Sequence, residues 1–182
     1  MSMSRRDFLK GFAASVSAVA IGGVPGVAHA ERHTIIWGRR NGEAFQADIA
    51  TTEGYNTLRH LLRDVRAGKV GYPHYFLLER IAWMQAWLAL YQRHEIIEFT
   101  SGLRMPSTNA RTEGAKQNSA HLPNFEGVFF AADWKMRGVD AAKIASLSKG
   151  LSEYAGYGGT GLYFVRDFVH TDVMRKREWQ GR

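Results

Sequence analysis

Beyond residue 30 the chain holds six histidines, His33, His60, His74, His94, His121 and His170, and only the last two stand among other residue types that can do chemistry. Asn118 and Ser119 precede His121, and the run Arg166-Asp167-Phe168-Val169-His170-Thr171-Asp172 surrounds His170 with carboxylates. In an extended strand His170 and Asp172 share one face, whereas Asp167, three residues before His170, falls on the other unless the chain bends. There is no cysteine, which excludes a thiolate metal site, a disulfide framework and a cysteine-linked lipid anchor. Any metal must therefore be held by His, Asp and Glu. A lone histidine in a loop or at a strand end is commonly a satisfied surface or core residue, and ligands far apart in sequence leave no spacing signature.

The elements that must position these residues are readable in part. Residues 34–37 and 44–49 flank Arg39-Arg40-Asn41-Gly42, and Asn-Gly supplies the positive φ of a tight hairpin turn. Leu58, Leu61, Leu62 and Val65 recur at helical spacing, with Gly68 placed to end that helix. Pro73 is expected to open a second helix with a broad apolar stripe, Leu77, Leu78, Ile81, Met84, Trp87, Leu88 and Tyr91, and Trp83 at its edge. Residues 95–100 read as a strand, Ser107 or Thr108 as the cap of a short helix, and 139–154 as a further helix with Ile144, Leu147 and Leu151 on one side. Gly156, Gly158, Gly159 and Gly161 crowd a loop before Leu162-Tyr163-Phe164, and 168–172 reads as the final strand. No Lys-Ser/Thr and no helix start follows the glycines, so they predict tight turns and not a phosphate loop. The expected architecture is α+β, with helices packed on a small antiparallel sheet.

The first thirty residues read as an address. Ser4-Arg5-Arg6-Asp7-Phe8-Leu9-Lys10 resembles the twin-arginine export consensus, a weakly apolar stretch follows, and Ala28-His29-Ala30 suits cleavage after Ala30. Gly22-Gly23-Val24-Pro25-Gly26 interrupts the apolar stretch before it reaches the roughly 20 residues of a membrane span. Cleavage would leave 152 of the 182 residues, the size of one domain over 31–182 with no stable membrane span. The net charge of +7 becomes +5 without Arg5, Arg6, Lys10 and Asp7. That is an ordinary solvated excess which would still favour an anionic polymer. Export to the periplasm removes nucleic acid as a partner and leaves the cell wall, besides the twin-arginine export machinery itself.

The segment Thr100-Ser101-Gly102-Leu103-Arg104-Met105-Pro106-Ser107-Thr108-Asn109 resembles the Ser-Gly-Tyr-Arg-Ser-Pro-x-Thr-Asn signature of M15-type D-Ala-D-Ala peptidases. The branch it resembles was formerly catalogued as a domain of unknown function and is associated with murein endopeptidases. Asn118-Ser119-Ala120-His121, Ala132-Asp133, Gly158-Gly159-Thr160-Gly161-Leu162-Tyr163 and residues 167–172 follow in the family's order, and 55–66 is similar to its N-terminal helix. The resemblance covers about residues 55–179. It implies the D-Ala-D-Ala metallopeptidase-like fold shared with hedgehog domains, with His121, Asp133 and His170 as ligands of a Zn2+ ion and a fourth position for water. Two neutral imidazoles and one carboxylate leave such an ion enough charge to polarise a carbonyl and to bring water toward a pKa of about 7.

The same resemblance implies Asp167 as general base and Arg104 as the cation that steadies an oxyanion or grips a substrate carboxylate; Asp172 is then a carboxylate that orients a ligand histidine, and the exchanged assignment of the two aspartates is the alternative. One departure stands out, because the family places the aspartate seven residues after the histidine and here the connection is five residues longer. Pro123-Asn124 can turn an enlarged loop back so that Asp133 returns beside His121, or the site is lost. The expectation is a periplasmic zinc peptidase acting on the peptide cross-links of peptidoglycan. The alternative is a non-catalytic wall-binding or scaffolding protein with a degenerate metal site.

Overall fold

The computed structural model describes residues 34–91 and 96–181, so residues 1–30, expected from the sequence to be an export segment, lie outside the described residues. From Thr34 onward the chain forms one compact unit. Strands β1 (Ile35–Arg40) and β2 (Glu43–Asp48) make the expected hairpin, turned by Asn41 at φ 50° and Gly42 at φ 83°. Helix α1 (Thr52–Leu61) starts at Thr51, whose side chain accepts from Gly54 N. It stops earlier than the periodicity of Leu58, Leu61, Leu62 and Val65 predicts. Val65 is exposed, and Gly68, at φ 61°, belongs to a tight turn closed between Asp64 and Lys69. Asp64 is the competing force: it accepts hydrogen bonds from Ala67 N and Met105 N, holding the chain in a turn where a helix would have continued.

Pro73 lies in a two-residue strand, β3 (Tyr72–Pro73), and α2 (Tyr75–Tyr91) begins just after it. His74 caps this helix through its Nδ1, which accepts from Phe76 N. Leu77, Leu78, Ile81, Met84, Trp87 and Leu88 are buried as expected. After β4 (Ile97–Ser101), the short α3 (Pro106–Ala110) begins with Pro106 in its first turn and has no side-chain cap; Thr108, expected as a cap, is inside it and buried. Strands β5 (Val128–Phe129) and β6 (Ala131–Met136) precede α4 (Ala141–Ala155), whose Ile144, Leu147 and Leu151 are buried. The chain then runs through β7 (Gly159–Tyr163), β8 (Phe168–Asp172) and β9 (Arg177–Gly181). Residues 168–172 are thus a strand but not the last, and Gly159 and Gly161 lie within a strand where a loop was expected.

The fold is α+β, but the sheet is neither small nor wholly antiparallel. Seven strands run in the order β2-β1-β4-β6-β8-β7-β9, and β1 with β4 and β7 with β9 are parallel pairs. Strand β3 pairs separately with β5. Ile36, Ile97, Phe99, Trp134, Val169 and Thr171 are buried on the face that the helices cover, where Ser148 of α4 bonds Thr160 and Leu61 of α1 lies against Gly38. Period-two alternation then assigns Asp133, His170 and Asp172 to the opposite face. Among the described residues no helix is long and apolar enough to cross a membrane.

Candidate metal centre

Asp133 of β6 and His170 of β8 are direct cross-strand partners, so the backbone ladder fixes their spacing. His121 comes from a loop that is tied down on both sides. Its carbonyl accepts from Arg104 N at 3.0 Å, and the neighbouring Ala120 carbonyl accepts from Phe130 N at 2.9 Å. The longer connection therefore does return Asp133 beside His121: Asn124 closes a turn within it, its Oδ1 accepting from Glu126 N and Val128 N.

Ring tautomers follow from the partners. The Gly102 carbonyl can only accept, so His121 donates from Nδ1 at 2.6 Å and turns the Nε2 lone pair inward. The Asp172 carboxylate likewise accepts from His170 Nε2–H at 2.9 Å, which leaves Nδ1 facing the site. His121 Nε2, His170 Nδ1 and Asp133 Oδ1 then converge, separated by 3.1, 3.1 and 2.8 Å. Atoms bound to one tetrahedral ion at about 2.0–2.1 Å lie about 3.3 Å apart, so this donor set and spacing fit zinc. Three acceptors facing one another in a buried site need a cation or a proton between them, because His121, Asp133 and His170 are 1%, 4% and 6% exposed.

The electrostatics agree. Burial lowers the pKa of His121, against the opposing pull of the Asp133 carboxylate. For His170 burial also lowers the pKa, but hydrogen bonds to Asp133 and Asp172 outweigh it and the net shift is upward. Burial alone would raise Asp133; the two histidines beside it win and hold it well below the usual carboxylate range. A proton on His170 and a metal ion thus compete for the same lone pair.

A β-bulge in β4 between Phe99 and Ser101 turns Ser101 to oppose Asp133. Ser101 Oγ accepts from Arg104 Nε at 2.8 Å, and Arg104 Nη2 forms an ion pair with Asp133 Oδ2. Arg104 is therefore part of the cluster. Asp167 is not: it stands exposed in the turn between β7 and β8, three residues from His170, with a left-handed φ of 50° that supplies a chain bend there. Asp172 is fully buried and bonds Gly159 N, Met174 N, His170 and Arg177, the last at 2.7 Å. Burial raises its pKa, but the partners, His170 foremost, bring it below the ordinary value.

Sequence reasoning missed what β9 contributes. Across β8, β7 and β9 the side chains on the site face form rows: Asp172, Gly159, Arg177, then His170, Gly161, Trp179. Each glycine lets a large neighbour cross it. A Cβ at Gly159 would collide with the Asp172 carboxylate, and one at Gly161 would lie 2.5 Å from the Trp179 indole. Arg177 thereby reaches Asp172, and Trp179 comes within 5.0 Å of the His170 ring. The signal in the sequence was three pairs at period two, His170-x-Asp172, Gly159-x-Gly161 and Arg177-x-Trp179.

A family model described as Peptidase M15 matches residues 54–172, from the first turn of α1 to the end of β8, a span that contains His121, Asp133 and His170. Comparison with curated proteins and with solved structures gives no match. Matched over well more than half its length by that family model, and carrying its converging His121, Asp133 and His170 on strands and a pinned loop, the chain belongs to the peptidase M15 family.

Proposed function

We propose that this peptidase is zinc-dependent and hydrolyses the peptide cross-links of peptidoglycan in the periplasm, as a member of the murein endopeptidase branch. The observation that carries the reading is the convergence of His121 Nε2, Asp133 Oδ1 and His170 Nδ1 with their lone pairs inward. A zinc ion held there would polarise the scissile carbonyl and acidify water. Arg104, anchored through Nε and Nη2, presents its remaining nitrogen to the oxygen that gains charge. The resemblance supports Asp167, three residues before His170, as the group that would take the proton of the attacking water and return it to the leaving amine, although it stands exposed in the turn outside the cluster. Asp172 holds the His170 ring in the tautomer that the site requires. The wall as substrate is supported by the resemblance around Arg104 and by the twin-arginine-like N-terminus.

The test is zinc content and cleavage of cross-linked wall peptides by the wild-type chain and His121→Ala. About one zinc per chain, with both metal and cleavage lost in the variant, is expected. Cleavage that persists in His121→Ala overturns the reading, and a metal-free wild type that still binds the wall would point to the non-catalytic alternative.

A further inference from the structure

The metal ligands use only the two ends of the connection between His121 and Asp133, and its middle holds an aromatic ring out into solvent. Gly127 N donates to Asn124 O at 3.0 Å, closing a turn with Phe125 and Glu126 at its corners. Asn124 Oδ1 braces that turn from inside by accepting from Glu126 N and Val128 N. Phe125 is 96% exposed on this braced tip. Beside it β5 pairs with β3, where Tyr72 N donates to Gly127 O at 3.0 Å and the Tyr72 ring packs against Gly127. Val70 and Tyr72, two residues apart on that neighbouring segment, are 47% and 43% exposed and extend the apolar surface.

Cations surround this tip. Arg59, whose Nε donates to Gly71 O, holds its guanidinium 3.9 Å from the Tyr72 centroid, and Arg66 and Lys69 are exposed in the turn leading into Val70. Between residues 65 and 72 and between 122 and 128, Glu126 is the only acidic side chain. Phe164 and Val165, between β7 and β8, make a second exposed apolar tip, but its flanking charges, Arg166 and Asp167, are opposite in sign. That second tip lies at the Phe168 end of β8, whereas the bond from Val173 N to Phe130 O joins the Phe125 loop to the other end.

We propose that the Phe125 tip is a membrane contact, its ring entering the interface of an anionic lipid bilayer while Arg59, Arg66 and Lys69 face the lipid phosphates. An exposed phenyl ring gains from leaving water for the acyl boundary in proportion to its apolar area, and a hydrated wall polymer offers it no hydrocarbon. Tyr72 is the kind of amphipathic ring that settles at headgroup level. Each cation near an anionic surface adds an attraction that salt screens. The turn is already closed, so insertion needs little further ordering of the chain. This contact is independent of the peptidase reading and gives the five added residues of the loop a use that the metal ligands do not.

The chain has no cysteine, so Phe125→Cys and Val165→Cys each offer one thiol for a nitrobenzoxadiazole label, whose emission brightens and shifts to the blue in hydrocarbon. Labelled full-length chains are mixed with vesicles of phosphatidylcholine alone or with about 30% phosphatidylglycerol, and circular dichroism confirms that each variant folds. Residues 1–30 are common to every variant, so differences between variants report on the two tips. The label at 125 is expected to brighten on anionic vesicles, and far less on neutral ones or at high salt, while the label at 165 stays unchanged. Adding Arg66→Gln and Lys69→Gln to Phe125→Cys should raise the lipid needed for half the response on the order of tenfold. No brightening at 125 overturns the proposal and leaves the ring for a pocket on a protein partner. Equal brightening at 165, or a response that neutral vesicles match and the two glutamines do not alter, overturns it as well.

Discussion

Asp172 is the side chain on which most of the site's hydrogen bonds meet, and it touches no ligand position itself. It holds His170, and Arg177 and two backbone N–H groups hold it. Asp172→Asn keeps the shape but removes the charge that Arg177 and the His170 N–H both face. Zinc affinity should fall about 10- to 100-fold, measured by competition with a chelator, and an unchanged affinity would show that the carboxylate is dispensable. Asp64 plays an analogous part for the Arg104 loop, through its bond to Met105 N at 2.7 Å. Asp64→Ala should cost about 1–3 kcal/mol of stability at neutral pH, read from urea unfolding. Burial would raise the Asp64 pKa, but the hydrogen bonds it accepts lower it below 3.8. A carboxyl whose folded pKa is depressed contributes fully above its unfolded value and loses that contribution as pH falls through the folded one. The difference between wild type and Asp64→Ala should therefore be constant above about pH 5 and shrink below about pH 4. At this scale the sequence was legible where a resemblance ordered the residues: His121, Asp133, His170 and Arg104 do meet. Asp64 was not, since a helix-like spacing of Leu58, Leu61, Leu62 and Val65 hides a turn made by one carboxylate.

Among the elements, β7 has the least freedom to change. Its glycines were expected to make turns, yet Gly159 and Gly161 are strand residues kept small by what crosses them. Of the four glycines from 156 to 161, Gly156 at φ 76° and Gly158 at φ 99° need the left-handed region, the first to end α4. Gly159→Ala would drive a methyl into the Asp172 carboxylate, which four partners hold in place. The variant should lose about 1–3 kcal/mol of stability and most of its zinc affinity together, as thermal unfolding and chelator competition would show. Retention of both would mean that β7 and β8 can separate without harm to the site. Strand and helix patterns gave β1, β2, β8 and α4 correctly because their apolar periodicity is unmixed. Strand β9 escaped notice because Arg177, Glu178, Trp179 and Gln180 show no such alternation; its pairing with β7 is visible only once the glycines are in place.

For the whole molecule, the parallel pairings of β1 with β4 and β7 with β9 are what a local reading could not supply. The first joins segments far apart in the chain and the second pairs β7 with β9 past the intervening β8, and no short-range pattern encodes either. A metal bound at the site should act on the fold as a whole, since it would tie β6, β8 and the His121 loop together. Chelation is expected to lower the unfolding midpoint by about 5–10 °C for zinc at a hundred times its dissociation constant. An unchanged midpoint would mean that the ligands hold together without it. The proposed export belongs to the same scale. Replacing Arg5 and Arg6 by lysines should leave the chain in the cytoplasm, as fractionation would reveal.

The loop from His121 to Asp133 is longer than the family spacing, yet both of its ends are fastened, by Ala120 O to Phe130 N and by the turn that Asn124 closes. Its tip carries Phe125, 96% exposed. Length added between Phe125 and Glu126 would give up the Glu126 N bond but leave the Val128 N bond to Asn124 below it, so a short peptide tag or a fluorophore could be carried there away from the ligands. The extension that set this chain apart becomes a handle by which the intact protein can be followed on its substrate.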